Sequence, residues 1–291
     1  MLPIHIPAQL RWLEHEPGGR EWLHELPGRI DAVSRRWQLQ IGEPFPNSNV
    51  SYVAPAFRAS GQVVLKIQWP HRESLGEAEA LRRWNGDGAV YLLDEWAEQH
   101  ALLIELCQPG RTLSQAQRVD RLEIAIGLLR RLMKPGDRRF TSLAEEARLW
   151  ADNLYANWIS DGKRCEKRLV DAALAFFQQL APGASEGVLL HQDLHGDNIL
   201  SAQREPWLVI DPKPLSGDPN FAAAPLIRGF ELGHSRASVL NRMARLCTEL
   251  ELDRGRVLGW TVLQTIAWSF GSRYAAAHCE TVRWLLSAAA T

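Results

Sequence analysis

Apolar runs of strand length crowd the first part of this chain, and helical periodicity dominates afterwards, interrupted by short strands and loops around His191–Asp211. Trp37-Gln38-Leu39-Gln40-Ile41 alternates in polarity and is ended by Gly42-Glu43-Pro44. Strand character resumes at Val50-Ser51-Tyr52-Val53 and continues to about Phe57. Ser60-Gly61 turns it, and Val63-Val64-Leu65-Lys66-Ile67 follows. Val90-Tyr91-Leu92-Leu93 and Leu102-Leu103-Ile104-Glu105-Leu106 supply strands four and five. A helix is predicted over 72–84, stopping at Asn85-Gly86, and a shorter one near Arg20–Leu26. Past Pro109-Gly110 the pattern changes. Leu122, Ile126, Leu129 and Met133 form an amphipathic stripe, and Ser142 with Glu145 has capping-box spacing ahead of Leu149 and Trp150. Further helices are expected over 166–180 and through most of 221–290.

Sheet first and helices later indicates an α+β protein with two segregated lobes. The expected division is an N-terminal extension over 1–36, a five-stranded antiparallel lobe with one helix over 37–105, a hinge at 106–111, and a mostly helical lobe over 112–291.

Composition removes several function classes. The net charge of the 291-residue chain is -1, so there is no general electrostatic case for nucleic acid or an anionic membrane. No apolar run approaches the roughly 20 residues that a membrane span requires. The first eleven residues lack the basic flank and apolar core of a secretory signal. Cys107, Cys165, Cys247 and Cys279 stand far apart without CxxC spacing, which suits reduced, packed thiols in a cytoplasmic protein.

The chemistry concentrates in His191-Gln192-Asp193-Leu194-His195-Gly196-Asp197-Asn198-Ile199-Leu200 and the following Trp207-Leu208-Val209-Ile210-Asp211. An Asp two residues after a His, an Asn five residues later and an Asp ending an apolar run provide what phosphoryl transfer needs. One carboxylate orients and deprotonates a hydroxyl, and two oxygen ligands hold magnesium. Asp193 is the candidate base, acting largely through orientation, because an ordinary carboxylate is a weak base. Asn198 and Asp211 are the candidate Mg²⁺ ligands; taken singly, each of these residues also suits a turn or cap. His191 is expected to brace the loop by bonding to backbone near Asp211. The alternation of His191, Asp193, His195 and Asp197 would also suit a transition-metal cluster. Against that, the only downstream histidines, His234 and His278, lie in helical contexts.

Lys66 ends a strongly apolar strand, where a lysine must snorkel or pair. In a kinase-like site it would bind the α- and β-phosphates and be positioned by a helix glutamate. Glu77, with Glu73 second, shares a helix face with Leu81 and Trp84. A solvated surface position is the alternative for both glutamates. Neither GxGxxG nor a Walker loop is present. The turn Pro46-Asn47-Ser48-Asn49 could cover phosphates through Ser48 or be an ordinary hairpin. Backbone groups of Glu105 to Cys107 could meet the adenine edge where the chain crosses between lobes. Lys213 would meet the γ-phosphate or stand exposed in its Pro-flanked turn. Acidic residues able to face a cationic substrate include Asp197, Asp218, Glu231 and Glu280, with ordinary surface charge an equal reading.

Four segments together resemble the aminoglycoside phosphotransferases. They are Leu81-Arg82-Arg83-Trp84-Asn85-Gly86-Asp87-Gly88-Ala89-Val90 with Leu92-Leu93; Leu102-Leu103-Ile104-Glu105; the His191–Leu200 segment; and Val209-Ile210-Asp211-Pro212-Lys213-Pro214, running on to Gly217-Asp218-Pro219. Within that family the chain is most similar to the streptomycin 6-phosphotransferase branch, the aminoglycoside/hydroxyurea antibiotic resistance kinases. The resemblance spans about residues 37–230. It implies a protein-kinase-like bilobal fold, ATP and Mg²⁺ as cofactors, Lys66 on phosphates, Asp193 as base, and Asn198 and Asp211 on metal. It also implies a small hydroxylated, cationic acceptor, an aminoglycoside such as streptomycin. Kinases of other small alcohols or sugars would use the same motifs. Intact Lys66, Asp193, Asn198 and Asp211 argue against a nucleotide-binding module without turnover. The lack of Phe-Gly after Asp211 argues against a protein kinase. Phe221-Ala222-Ala223-Ala224 lacks the Asp that many relatives carry there, which points to different local packing. The first 36 residues have no counterpart in the resemblance.

Overall fold

A computed structural model describes residues 6–46, 48–184 and 187–289; Asn47 of the turn expected to cover phosphates lies outside them. The strand-rich part forms one antiparallel sheet. Its strands are β1 (Gln40–Ile41), β2 (Ser51–Arg58), β3 (Gly61–Gln68), β4 (Leu92–Trp96) and β5 (Ala101–Glu105), in the order β1-β2-β3-β5-β4. The β2–β3 hairpin pairs Ser51 with Gln68 through to Arg58 with Gly61.

Both faces of this sheet are covered, which is why β3 reads as an apolar run rather than an alternation. On one face Val63, Leu65 and Ile67 join Tyr52, Ala54, Ala56, Ala101 and Leu103 against Leu10, Leu13, Trp22, Leu26, Ile30 and Val33. On the other face Val64, Leu102 and Ile104 belong to the core that continues into the helical part. Side chains alternate along a strand, so Lys66 between Leu65 and Ile67 points to that second face.

The N-terminal region departs from expectation. A 3-10 turn over Ala8–His15 leads into helix α1 (Gly19–Trp37), far longer than the short helix predicted near Arg20–Leu26. Trp37, read as the first strand residue, is the last helical one. Pro27 and Gly28 lie inside α1 without ending it. Trp22, Leu26, Ile30, Val33 and Trp37 lie at helical spacing and are all buried. Burying each large apolar side chain is worth roughly 1.5–3 kcal/mol, so together they outweigh the roughly 3 kcal/mol cost of an interior proline.

The helix predicted over 72–84 is also divided. A 3-10 turn spans Arg72–Ser74, and α2 starts afresh at Glu77 and ends at Trp84. Gly76 between them sits at φ +81°, in the left-handed region, with Pro214 and Phe140 pressed against the position a Cβ would take. Strand four also starts late. The backbone of Gly88 to Val90 is taken by Val209, which donates to the Gly88 carbonyl at 2.9 Å and accepts from Val90 N at 3.0 Å.

The second part is helical as expected. It contains α3 (Arg121–Leu132), α4 (Leu143–Ser160), α5 (Lys167–Leu180), α6 (Ala224–Arg228), α7 (Arg236–Glu249), α8 (Arg254–Ala267) and α9 (Ala275–Ala289). The Ser142–Glu145 capping box is formed at the start of α4. Two small sheets interrupt the helices: β6 (Val188–His191) with β9 (Pro214–Gly217), and β7 (Ile199–Ser201) with β8 (Trp207–Val209). The α+β, kinase-like bilobal reading holds. Among the described residues no helix is long and apolar enough to cross a membrane.

Candidate active site

The loop between β6 and β7 carries the chemistry, and backbone bonds fix its shape. His191 ends β6 with a ring only 1% exposed. Its Nε2 lies 3.1 Å from the Ile210 carbonyl, and its Nδ1 accepts from Asp193 N at 3.3 Å. Those partners define the tautomer, with the proton on Nε2. Burial pushes the ring down to about 4, so it is neutral at pH 7. The expected bracing role of His191 is therefore visible in its bonds.

Asn198 is joined to both ends of the site. Its Nδ2 donates to the Asp193 carbonyl at 3.0 Å, and its own carbonyl accepts from Ile210 N at 2.9 Å. With the amide turned this way, its oxygen is left to face a cation. Asp211 follows immediately, at φ +54°. A non-glycine residue in that region carries a cost on the order of 1 kcal/mol and needs its surroundings to hold it. The bonds on both sides of the preceding residue, Ile210, do so.

Lys66 and Glu77 meet as predicted. The Lys66 ammonium lies 2.7 and 2.6 Å from the Glu77 oxygens, and Gln68 Nε2 adds a third bond to Glu77 at 2.6 Å. Lys66 also donates to Asp211 Oδ1, so the strand, the helix and the second lobe converge on one ammonium. Burial would lower the Lys66 pKa, but Asp211 and Glu77 more than reverse that, and it stays charged. Burial pushes Glu77 up to about 7 against the pull of Lys66. Asp211 ends below the usual carboxylate range because Lys66, and then Lys213, overcome the effect of burial.

The second candidate for Lys66, Glu73, is placed elsewhere. The break at Gly76 takes it off α2, and its Oε2 pairs with Lys213 at 3.0 Å. Lys213 also reaches Asp193 Oδ2 at 3.1 Å, and Arg228 Nη2 bonds Asp193 Oδ1 at 3.0 Å. Burial would raise Asp193; Lys213 and Arg228, with His195, reverse this and hold it well below the usual range. Arg228 closes the buried stretch of α6, and Trp268, just after α8, covers its guanidinium. The only sequence signal for Arg228 is a charge at the end of an otherwise apolar run. Gln264, within apolar α8, donates to the Gln192 carbonyl at 2.8 Å and gave a similar signal.

Other predicted residues are placed less directly. The Ser48 hydroxyl donates to the Ser51 carbonyl within its own turn. The Glu105 carboxylate is held by Arg204 at 3.0 Å and accepts from Tyr91 N at 3.0 Å, and its own backbone N–H donates to the Tyr91 carbonyl at 3.0 Å. Cys107 is buried, and burial pushes its thiol up to about 12. Just beyond it, Gly110 N donates to the Ser201 carbonyl and Ser201 N to the Arg111 carbonyl, seating the crossing segment on β7.

Asp218 does not face a substrate. It is buried and accepts from Arg256 at 2.8 and 2.6 Å and from Trp260 at 2.7 Å, fastening α8 beneath the loop. Glu231 accepts from Gly196 N at 2.9 Å, and Asp197 is exposed beside Ser114. The alternating His/Asp metal cluster does not form. Residues 196–198 turn as a 3-10 helix instead of a strand, and His195 bonds Asp197 N. Among the described residues no group of three or more His, Cys, Asp or Glu is arranged to hold a metal.

The family model for aminoglycoside/hydroxyurea antibiotic resistance kinases matches residues 36–273. A streptomycin 6-kinase from Streptomyces griseus is 36% identical over 91% of this chain and 91% of its own length. A hydroxyurea phosphotransferase from Kitasatospora aureofaciens is 36% identical over 91% of this chain and 80% of its own. Among solved structures, an aminoglycoside phosphotransferase in complex with ADP and hygromycin B superposes with a TM-score of 0.61 at 14% identity, covering 90% of this chain and 98% of that one. A choline kinase from Streptococcus pneumoniae also gives 0.61, at 19% identity over 91% and 99%. At these identities the structural likeness carries the fold alone, whereas the sequence relatives carry the family. The chain is a phosphotransferase and belongs to the aminoglycoside/hydroxyurea antibiotic resistance kinase family.

Proposed function

We propose that this enzyme transfers the γ-phosphoryl group of ATP to a hydroxyl of a small cationic acceptor, an aminoglycoside such as streptomycin, with Asp193 as base. One observation carries this reading. Glu77, Lys66 and Asp211 form a continuous ionic chain from the sheet lobe to the segment after β8, where Ile210 N is bonded to the Asn198 carbonyl of the loop that holds Asp193. In this reading residues 37–105 bind the nucleotide, 106–111 cross between lobes, and 112–291 supply the catalytic loop and acceptor site of a cytoplasmic enzyme.

The donor set suits magnesium: a half-exposed carboxylate (Asp211, 43%) and a carboxamide oxygen (Asn198), both hard ligands, leave room for phosphate oxygens and water. Mg²⁺ bound there would neutralise charge on the transferring phosphoryl group. Lys66, already beside Asp211, would take the α- and β-phosphate oxygens while Glu77 and Gln68 keep its direction. Asp193 would orient the acceptor hydroxyl in line with the γ-phosphate and receive its proton. Asp197 and Glu231 flank the loop and would attract a cationic acceptor.

The test is ATP consumption with streptomycin, hygromycin B, hydroxyurea and choline as separate acceptors. Streptomycin is expected to be turned over, and Asp193→Ala to reduce kcat by at least about 100-fold. Undiminished turnover in that variant would remove Asp193 as the base. Turnover of hydroxyurea alone would move the acceptor to the chemistry named for the second relative.

A further inference from the structure

Asp193 is covered on both oxygens by cations that share one aromatic platform. Arg228 Nη2 lies 3.0 Å from Oδ1 and Lys213 Nζ 3.1 Å from Oδ2. The Arg228 guanidinium stands 4.2 Å, and the Lys213 ammonium 5.3 Å, from the centroid of a single ring, that of Trp268. Each oxygen keeps a lone pair that could accept a hydroxyl, but a cation on an oxygen lowers its basicity, so proton transfer is favoured at the oxygen from which the cation draws back.

The two cations are not equivalent. The Arg228 side chain is 10% exposed and planar, and is stacked on the indole at the short end of the cation–π range. Its other anionic neighbours, Glu231 (itself bonded to Gly196 of the catalytic loop) and Glu73, act on it through space, whereas Asp193 is in direct contact. The Lys213 side chain is 21% exposed, stands further from the ring, and divides itself between Asp193 and Glu73. Glu73 belongs to the 3-10 turn ahead of α2, in the other lobe. Lys213 therefore has a second anion to move to, whereas moving Arg228 would strip a buried guanidinium of its partner.

We infer that Arg228, held by Trp268, is a positioning residue that keeps Asp193 Oδ1 fixed throughout the reaction, and that Lys213 is a displaceable cover over Oδ2. The inference rests on Asp193 being the base. When the acceptor binds, its hydroxyl takes the Lys213 position on Oδ2, and Lys213 turns to Glu73 or the γ-phosphate. The acceptor oxygen then bonds to the γ-phosphorus as the bond from that phosphorus to the β,γ-bridging oxygen breaks. ADP leaves with that electron pair, and the hydroxyl proton passes to Oδ2 and on to solvent. Arg228 is a lasting constraint on the direction of Oδ2, and Trp268 a lasting constraint on Arg228.

The test compares Arg228→Met, Arg228→Lys, Lys213→Met and Asp193→Asn by steady-state and single-turnover kinetics, with ATP and an acceptor that the wild type turns over. Arg228→Met is expected to lower kcat by about 100-fold, the scale of losing catalytic alignment, with KM for ATP changed less than about two-fold. Arg228→Lys should regain about ten-fold of that loss, since a point charge restores the contact without the planar stack. Lys213→Met should lower kcat by less than about ten-fold and raise KM for ATP. In the Asp193→Asn background, Arg228→Met should change the residual rate by less than about three-fold, because the two act as a unit. Equal losses from Arg228→Met with and without Asp193 would overturn the positioning role, and equal kcat losses from the Arg228 and Lys213 variants would overturn the asymmetry. If Arg228→Met does not fold, Arg228→Lys in both backgrounds gives the same comparison. Wild-type turnover by Asp193→Asn would instead remove the base itself, a failure distinct from either.

Discussion

His191 contributes structure through a proton it does not carry. Its ring is buried, held to Ile210 and Asp193, and stacked on Trp84 at 6.4 Å between centroids. Its pKa falls from 6.5 to about 4 on folding. The unfolded chain therefore binds a proton below pH 6.5 that the folded chain refuses. Stability from this group is complete above that pH and is lost as pH falls towards 4. The full effect is roughly 3 kcal/mol, of which roughly 1 kcal/mol is lost by pH 5.5. His191→Gln should be less stable than wild type at pH 7.5 because it loses the ring's bonds. Its deficit should shrink by roughly 1 kcal/mol at pH 5.5, since only the wild type must keep an imidazole neutral. Urea denaturation of both proteins at both pH values measures this; an unchanged deficit would show that the ring is not held neutral. The partners of Lys66 and His191 could be anticipated because each polar group lies in an apolar strand and demands one. Those of Asp193 could not. Arg228 and Trp268 reach it through the packing of α6 and α8, which no local spacing encodes.

At the scale of elements, α1 and α2 show where punctuation and burial disagree. Pro27-Gly28 is a strong stop signal, and the periodic stripe from Trp22 to Trp37 runs through it. The stripe prevails because the outer face of the sheet is apolar and needs a cover. Tyr52, Ala54, Leu65, Ile67 and Leu103 would otherwise be open to water. In α2 the reverse holds: a continuous helical pattern is broken at Gly76, whose left-handed backbone strains any other residue and where Phe140 and Pro214 press on the position of a Cβ. The break matters for chemistry because it gives Glu77 to Lys66 and Glu73 to Lys213. If α1 is an integral layer of the sheet lobe, a cavity in it must destabilise the lobe. Leu26→Ala, at a fully buried position, should cost about 3 kcal/mol. Denaturant unfolding checks this, and a loss below about 1 kcal/mol would mean that α1 is only loosely docked.

For the whole molecule, the two parts of the chain are joined away from the site by pairs such as Arg131–Asp87, Arg139–Glu79 and Arg204–Glu105, and three further contacts lie along the site itself. Lys66 meets Asp211, Glu73 meets Lys213, and the Gly88–Val90 backbone meets Val209. Two of the three are ion pairs whose cations the proposed reaction assigns to phosphate. A nucleotide with its metal would thus replace direct contacts between the lobes with bridged ones, and binding energy would appear as stability of the whole chain. A ligand at 100 times its Kd adds about 2.7 kcal/mol, which for a chain of this size corresponds to a rise in Tm of about 4 °C. ADP with Mg²⁺ should produce such a rise, and ADP with EDTA a much smaller one, because Lys66 alone cannot offset the charge that the diphosphate brings beside Asp211. Asn198→Ala should reduce the metal-dependent part without changing the EDTA value, since in the proposed site its amide oxygen acts on the cation and not on the nucleotide. Equal shifts with and without Mg²⁺ would remove Asn198 and Asp211 from the metal site, leaving the Lys66–Glu77 pair as the sole anchor for nucleotide.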